Sequence, residues 1–174
     1  MPGKLTVGII ASVMAIFLNL ATSEAQTRLQ KQFDKWLVAC VDSEQGNKRC
    51  TMGQSFQGFN QKAKKRVFAF SATLSLGRDK AEKLILRTPM GVDLTKGLSV
   101  KFPDLDVVKL NYVVCARRGC ISEITLDDSW RNALSRNAAV NVSYKIRNGQ
   151  EIGIEVDLNG FTDGYSFYKT QLGL

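Results

Sequence analysis

The chain has 174 residues, 44% of them apolar and 23% charged, the size and composition of one ordinary globular domain. Its formal charge is +8, spread along the chain, which favours acidic partners without choosing one. Histidine is absent, so imidazole acid–base catalysis, a Ser-His-Asp triad and histidine metal ligation are excluded.

The N-terminus has the pattern of an export signal. Lys4 gives a small positive region, and Leu5 to Ala21 is apolar apart from Thr6, Ser12 and Asn19. Ser23-Glu24-Ala25 then places small residues three and one before a cut after Ala25. This predicts a signal peptide over residues 1–25 and a single β-rich domain over 26–174, with no integral membrane segment after cleavage. An uncleaved anchor competes, since the apolar run is close to spanning length; the small-residue site and the polar stretch after it favour cleavage. Leu37-Val38-Ala39-Cys40 resembles a lipoprotein-processing box. Arg28, Lys31, Asp34 and Lys35 separate it from the apolar run, which excludes lipidation there.

Gln26 to Gln32 is polar and reads as a frayed arm. Phe33 to Val41 reads as a first strand, Gly46-Asn47 as a turn, and Arg49 to Ser55 as its return. Gln57 to Arg66 reads as loop. Arg66 to Leu76 alternates strictly, with Phe68, Phe70, Ala72, Leu74 and Leu76 on one face, the mark of a half-buried strand. Glu82 to Thr88 is a shorter strand stopped by Pro89, and Leu98 to Phe102 another, stopped by Pro103-Asp104. Val108, Leu110, Tyr112 and Val114 share a face of one strand running into Cys115, and Ile121 to Leu126 follows.

The period then changes. Trp130, Ala133 and Leu134 fall at helical spacing, so Asp127 to Arg136 is predicted helical, with Thr125 and Asp128 at capping-box spacing. Val140 to Ile146 and Ile152 to Leu158 alternate around Asn148-Gly149, a strong hairpin cue. Phe161, Tyr165, Tyr168 and Leu172 suggest a short last helix, weakened by Gly164. About eight or nine short strands and one or two short helices predict a mainly β fold: an antiparallel β-sandwich or a partly open barrel.

Cys40, Cys50, Cys115 and Cys120 make an even count, which outside the cytosol means disulfides. Three pairings are possible. The local one, Cys40–Cys50 with Cys115–Cys120, is favoured, because long-range pairings need distant strands to meet in disulfide geometry. Chain entropy gives the two local bonds roughly 2.8 and 2.2 kcal/mol. A four-thiolate zinc site fits neither the spacings nor the compartment, and no redox C-x-x-C is present.

These residues also carry a resemblance. Trp36-Leu37-Val38-Ala39-Cys40 with Cys50, Met90-Gly91-Val92-Asp93-Leu94 leading to Gly97-Leu98, Cys115-x4-Cys120 and Asn159-Gly160-Phe161-Thr162 occur in order over nearly the whole mature chain. The series resembles the invasion-associated locus B family of exported bacterial proteins. The resemblance implies an exported β-rich domain with two short-range disulfides and, for some members, a part in host-cell invasion; it carries over no catalytic residues. One departure is Met90-Gly91, where the family usually has Pro-Gly, a change that would loosen the turn.

Two basic clusters are the candidate binding residues: Arg117 and Arg118 between the paired cysteines, and Lys62, Lys64, Lys65 and Arg66. Loops on rigid scaffolds often bind, although charges on a turn also serve simply to keep a sheet edge solvated. Nucleic acid is not expected, since Phe68 and Phe70 read as core and leave no exposed aromatic platform. Asp127 and Asp128 could form an acid–base pair, but a helix N-terminus explains them better. No phosphate loop, nucleophile elbow or metal set appears, so no catalytic residue, metal or cofactor is expected. The reading is an exported, non-enzymatic envelope or secreted protein, periplasmic, outer-membrane associated or released, whose basic loops meet an anionic host-cell or outer-membrane surface. The alternative is a periplasmic accessory domain for envelope maintenance that touches no host. A hydrolase working without histidine is the third.

Overall fold

The computed structural model describes residues 28–42, 48–61 and 63–174. The expected signal peptide, the Gly46-Asn47 turn and Lys62 lie outside the described residues. Among the described residues, eleven strands and two helices follow one another as β1 (Arg28–Phe33), β2 (Trp36–Asp42), β3 (Lys48–Asn60), β4 (Lys65–Leu76), β5 (Glu82–Thr88), β6 (Leu98–Lys101), β7 (Val108–Leu110), β8 (Val114–Ala116), β9 (Gly119–Thr125), α1 (Asp128–Arg136), β10 (Ala139–Lys145), β11 (Glu151–Asp157) and α2 (Phe161–Leu172). The strands form a seven-stranded sheet, β1-β2-β3-β4-β5-β9-β8, and a four-stranded sheet, β11-β10-β6-β7. All pairings are antiparallel, and the sheets do not close into a barrel.

The core is built from the alternating faces. Phe70, Ala72 and Leu74 of β4, Leu84 and Leu86 of β5, and Val140 and Val142 of β10 are buried in one cluster. Four strands cannot cover seven. The shortfall of three strands is about 14 Å, and a helix about 10–12 Å across fills most of it. That helix is α2, which packs on β1, β2 and β3. Phe161 meets Trp36 edge to face with ring centroids 5.2 Å apart, and the Trp36 indole N–H donates to the Asp157 carbonyl at 3.1 Å. Tyr168 is fully buried, and Gly164 lies where a Cβ would come 2.9 Å from Met52 Cε.

Both disulfides are local, Cys40–Cys50 across β2 and β3 and Cys115–Cys120 across β8 and β9. β5 runs over the expected residues, and α1 occupies the expected span. Four expectations are corrected. Residues 28–32 are strand, not frayed arm, and the strand expected from Phe33 begins at Trp36, because Phe33 ends β1 and Asp34-Lys35 turn the chain. β1 pairs with β2 along its whole length, and Phe33 at its end packs on Phe167 of α2 at 5.4 Å. Apart from Leu29 these residues are polar, because all of Arg28–Gln32 are exposed and the pairing needs only backbone. The expected loop after Gln57 is strand as far as Asn60.

The third correction concerns residues 108–114, which are two strands in different sheets. Asn111 to Val113 cross from β7 in the small sheet to β8 in the large one. The fourth is the cap of α1. Asp127 accepts from the Trp130 amide at 2.9 Å, while Thr125 ends β9.

A bulge refines the β4 pattern. The ladder steps from Phe56 opposite Phe70 to Gln57 opposite Phe68, so Ala69 is skipped. Phe70 is therefore fully buried while Phe68 is only half-buried. The skipped Ala69 carbonyl accepts a 2.8 Å hydrogen bond from the Tyr144 hydroxyl, which ties the two sheets together.

Candidate functional site

The candidate basic residues sit on two hairpin tips. Ala116 pairs with Gly119, so Arg117 and Arg118 are the two turn residues between β8 and β9, and both are exposed. Gly119 makes that turn possible. Its φ is +124°, and a Cβ there would stand 2.0 Å from the Thr88 carbonyl oxygen. Lys64, Lys65 and Arg66 lie at the β3–β4 tip, all exposed, with Lys64 in left-handed backbone at φ 46°.

Register places both tips at one end of the large sheet. Ser71 of β4 faces Arg87 of β5, and Thr88 of β5 faces Cys120 of β9. The Cys120 end of β9 is therefore level with Phe70, and the β8–β9 turn leaves the sheet in the same direction as the β3–β4 turn. Beyond that level the β3–β4 arm runs on to Lys65, with one position lost to the bulge at Ala69, while β9 runs on only to Gly119, so the first tip stands about 10 Å further out at about 3.3 Å per residue.

A third cation joins them. Arg147, in the β10–β11 turn, is exposed, and its backbone N–H donates to the Gly91 carbonyl at 3.0 Å. Val92 bridges to Ile146, and the Asp93 N–H donates to the Lys145 carbonyl at 2.8 Å. These bonds fix the Met90–Leu94 segment against the end of β10. Arg147, Met90, Leu94 and both cysteines of the second disulfide line an open depression of about 500 Å³. Beneath it Val92, Cys120 and Tyr144 form a small buried cluster. Burial, reinforced by the neighbouring Tyr112, pushes the Tyr144 phenol up to about 12. Asp93 is the carboxylate on the depression, held below its ordinary range chiefly by the Thr95 hydroxyl and amide.

Charge is organised differently at the two ends. Among the described residues, none of Lys64, Lys65, Arg66, Arg117, Arg118 or Arg147 forms an ion pair. The ion pairs lie towards the opposite end, where Lys83 meets Asp79 and Glu123, and Arg131 meets Glu82 and Asp128. Glu82 also accepts from the Tyr165 hydroxyl at 2.7 Å, which joins β5 to both helices. Asp127 caps α1 and Asp128 holds Arg131, so each carboxylate has a structural partner. Among the described residues no group of three or more acidic or cysteine side chains is placed to hold a metal ion.

Sequence reading finds Arg117, Arg118 and the 64–66 cluster but misses Arg147 and the exposed apolar side chains near them. Asn148-Gly149 marks Arg147 as a turn neighbour, but its meeting with Met90–Leu94 depends on contact between distant segments.

Residues 36–169 match the invasion associated locus B (IalB) protein family. Two invasion protein B homologues of Brucella abortus, from strain 2308 and from biovar 1 strain 9-941, are each 27% identical over 134 residues, 76% of this chain and 75% of theirs. The crystal structure of invasion associated protein B from Bartonella henselae superimposes with a TM-score of 0.65 at 21% identity, over 82% of this chain and 95% of that one. At that identity the structural likeness shows the fold, while the match over residues 36–169 shows the family: the chain belongs to the invasion-associated locus B family.

Proposed function

We propose that this is an exported, non-enzymatic protein that attaches to an anionic surface, that of a host cell or of the outer membrane, through the basic end of its sandwich. The observation that carries the reading is the placement of Arg117–Arg118 and Lys64–Arg66 on tips leaving the same end of one sheet, without described ion-pair partners. Unpaired surface cations raise the local concentration of anions and speed encounter. The Cys115–Cys120 bond closes the Arg117–Arg118 turn, so little entropy is lost when the turn docks. The family and the invasion protein B relatives support a role at the cell envelope or host contact, and the export pattern at residues 1–25 supports a location outside the cytosol.

The test is retention on host cells and on lipopolysaccharide from low to high salt, for the wild type and for R117S/R118S. Charges at the surface are screened within about 8 Å at physiological salt, so retention should fall steeply as salt rises and be weaker in the variant. The variant should keep its fold, since exposed substitutions change stability by less than about 0.5 kcal/mol. Retention at low salt equal for both proteins would overturn the reading in favour of an envelope domain without such contact.

A further inference from the structure

The basic end also exposes large apolar side chains. Phe59, opposite Arg66 in the β3–β4 arm, is 57% exposed. Met90 and Leu94, on the rim of the depression beside Arg147, are 57% and 55% exposed. Val113 and Val114, which lead into Cys115 and the Arg117–Arg118 turn, are 60% and 51% exposed. Large apolar side chains therefore stand beside the cations at both tips. Solvation of a sheet edge calls for the arginines and lysines alone and gives no reason for Phe59, Met90 or Leu94 to stand in water.

From this we infer that the basic end is a membrane-docking surface for a bilayer bearing anionic phospholipid. Arg117, Arg118, Arg147 and the Lys64–Arg66 cluster would meet headgroup phosphates while Phe59, Met90 and Leu94 enter the headgroup–acyl boundary. The inference rests on the anionic-surface reading and deepens it by naming the surface. Charge complementarity selects the bilayer: cations flank the apolar groups at each tip, the pattern that binds the interface of anionic membranes. A purely acidic partner would match the arginines and lysines, but it would not explain the exposed apolar side chains beside them at both tips. The stiffness of the second hairpin suits shallow insertion, because the disulfide holds the turn while the valines and Leu94 are presented around it.

The experiment uses the processed protein recovered from an exporting host, its N-terminus verified by mass spectrometry so that residues 1–25 contribute nothing. Co-sedimentation is measured with vesicles of phosphatidylcholine alone and of phosphatidylcholine with phosphatidylglycerol, from low to high salt, and with lipopolysaccharide aggregates. We expect binding only where phosphatidylglycerol is present, weakened about fivefold for each arginine removed at Arg117 and Arg118. A fraction should survive high salt and be lost, by about tenfold, in F59S/M90S/L94S. In a separate variant, Leu94→Trp, fluorescence should shift to the blue on binding. Trp36 is buried and Trp130 half-buried in the core, so the new signal reports the rim directly.

Binding that salt abolishes completely, unchanged by the three serines and without a blue shift, would overturn membrane insertion while leaving attachment by charge intact. Retention on lipopolysaccharide with none on phospholipid vesicles would overturn it in the same way. Loss of retention on every anionic surface would overturn both readings together.

Discussion

The β2–β3 and β8–β9 hairpins are each closed by one disulfide between directly opposed residues, with Cα atoms 4.0 Å apart in both. Their surroundings differ. Cys40 and Cys50 are both buried within the main core cluster, in strands that α2 covers. Cys120 is buried but Cys115 is exposed, and its strand is the edge of the sheet. The same local bond is therefore part of the core in one hairpin and a clamp on an exposed basic turn in the other. The difference teaches that strand register sets which cysteines pair, while the neighbours determine what the bond does.

Breaking the inner bond should have the larger effect. Replacing Cys40 and Cys50 with Ala removes a cross-link worth about 3 kcal/mol and leaves a small void under α2, for a total of about 3–4 kcal/mol. The same replacement at Cys115 and Cys120 should cost about 2 kcal/mol. Urea midpoints of the two double variants, at equal m-values, measure the difference. Equal losses would mean that α2 does not make the first hairpin special.

Gly119→Ala tests the clamp from the backbone side. The residue has φ +124°, and the new Cβ would meet the Thr88 carbonyl oxygen at 2.0 Å, so strand β5 or the turn must shift. The expected cost is about 2 kcal/mol, with faster amide exchange across β8 and β9 and little change across β2 and β3. Unchanged exchange at Arg117 and Arg118 would show that the disulfide alone holds the turn.

Tyr144 joins the second hairpin's cluster to the β4 bulge. Tyr144→Phe removes its hydrogen bond to the Ala69 carbonyl and should cost about 1 kcal/mol. It also has a pH signature. The phenol rises from 10.0 to about 12 in the fold, so the protein favours its neutral form. Stability from this group is complete below pH 10 and is lost as pH rises through about 12. Burial likewise raises Tyr165 to about 12, and Tyr168 shifts upward as well. The urea midpoint should thus fall above pH 10 in the wild type and fall less, but still fall, in Tyr144→Phe. An identical decline in both would remove Tyr144 from the alkaline transition.

The parts of the fold that could be read from sequence are those governed by local pattern. β4 and β5 announce themselves by alternation, α1 by helical spacing, and the β10–β11 hairpin by Asn148-Gly149. β1 could not be read, because a polar edge strand is held by backbone pairing with β2 and by the contact of Phe33 with Phe167, neither of which leaves a periodic signature. The split of residues 108–114 was hidden for the opposite reason. Val108, Leu110, Tyr112 and Val114 keep one alternation through a crossing between sheets. The basic turn at Arg117–Arg118 was legible from its cysteines. Its neighbours Met90, Leu94 and Arg147 were not, since they reach it only through the packing of three connections at one end of the sandwich.

Gly164 gives the smallest expected effect and the sharpest contrast between the two ways of reading. By propensity it is a defect in α2, and Gly164→Ala should gain about 1 kcal/mol. By packing it lies directly against Met52 of the inner hairpin. The new Cβ would come 2.9 Å from Met52 Cε and 3.4 Å from Met52 Sδ, with Phe33 Cβ at 3.5 Å. Met52 is fully buried but flexible, and the clash is with the far end of its side chain, so the thioether can turn away at a cost of about 1 kcal/mol. The two terms oppose each other, and the net change should lie within about 0.5 kcal/mol of zero. Met52→Ala combined with Gly164→Ala separates them. Once the thioether is gone the alanine should show its full helix gain, about 1 kcal/mol relative to Met52→Ala alone. If the gain is the same with and without Met52, close packing plays no part, and the glycine under α2 is the simple weakness that its helix propensity suggests.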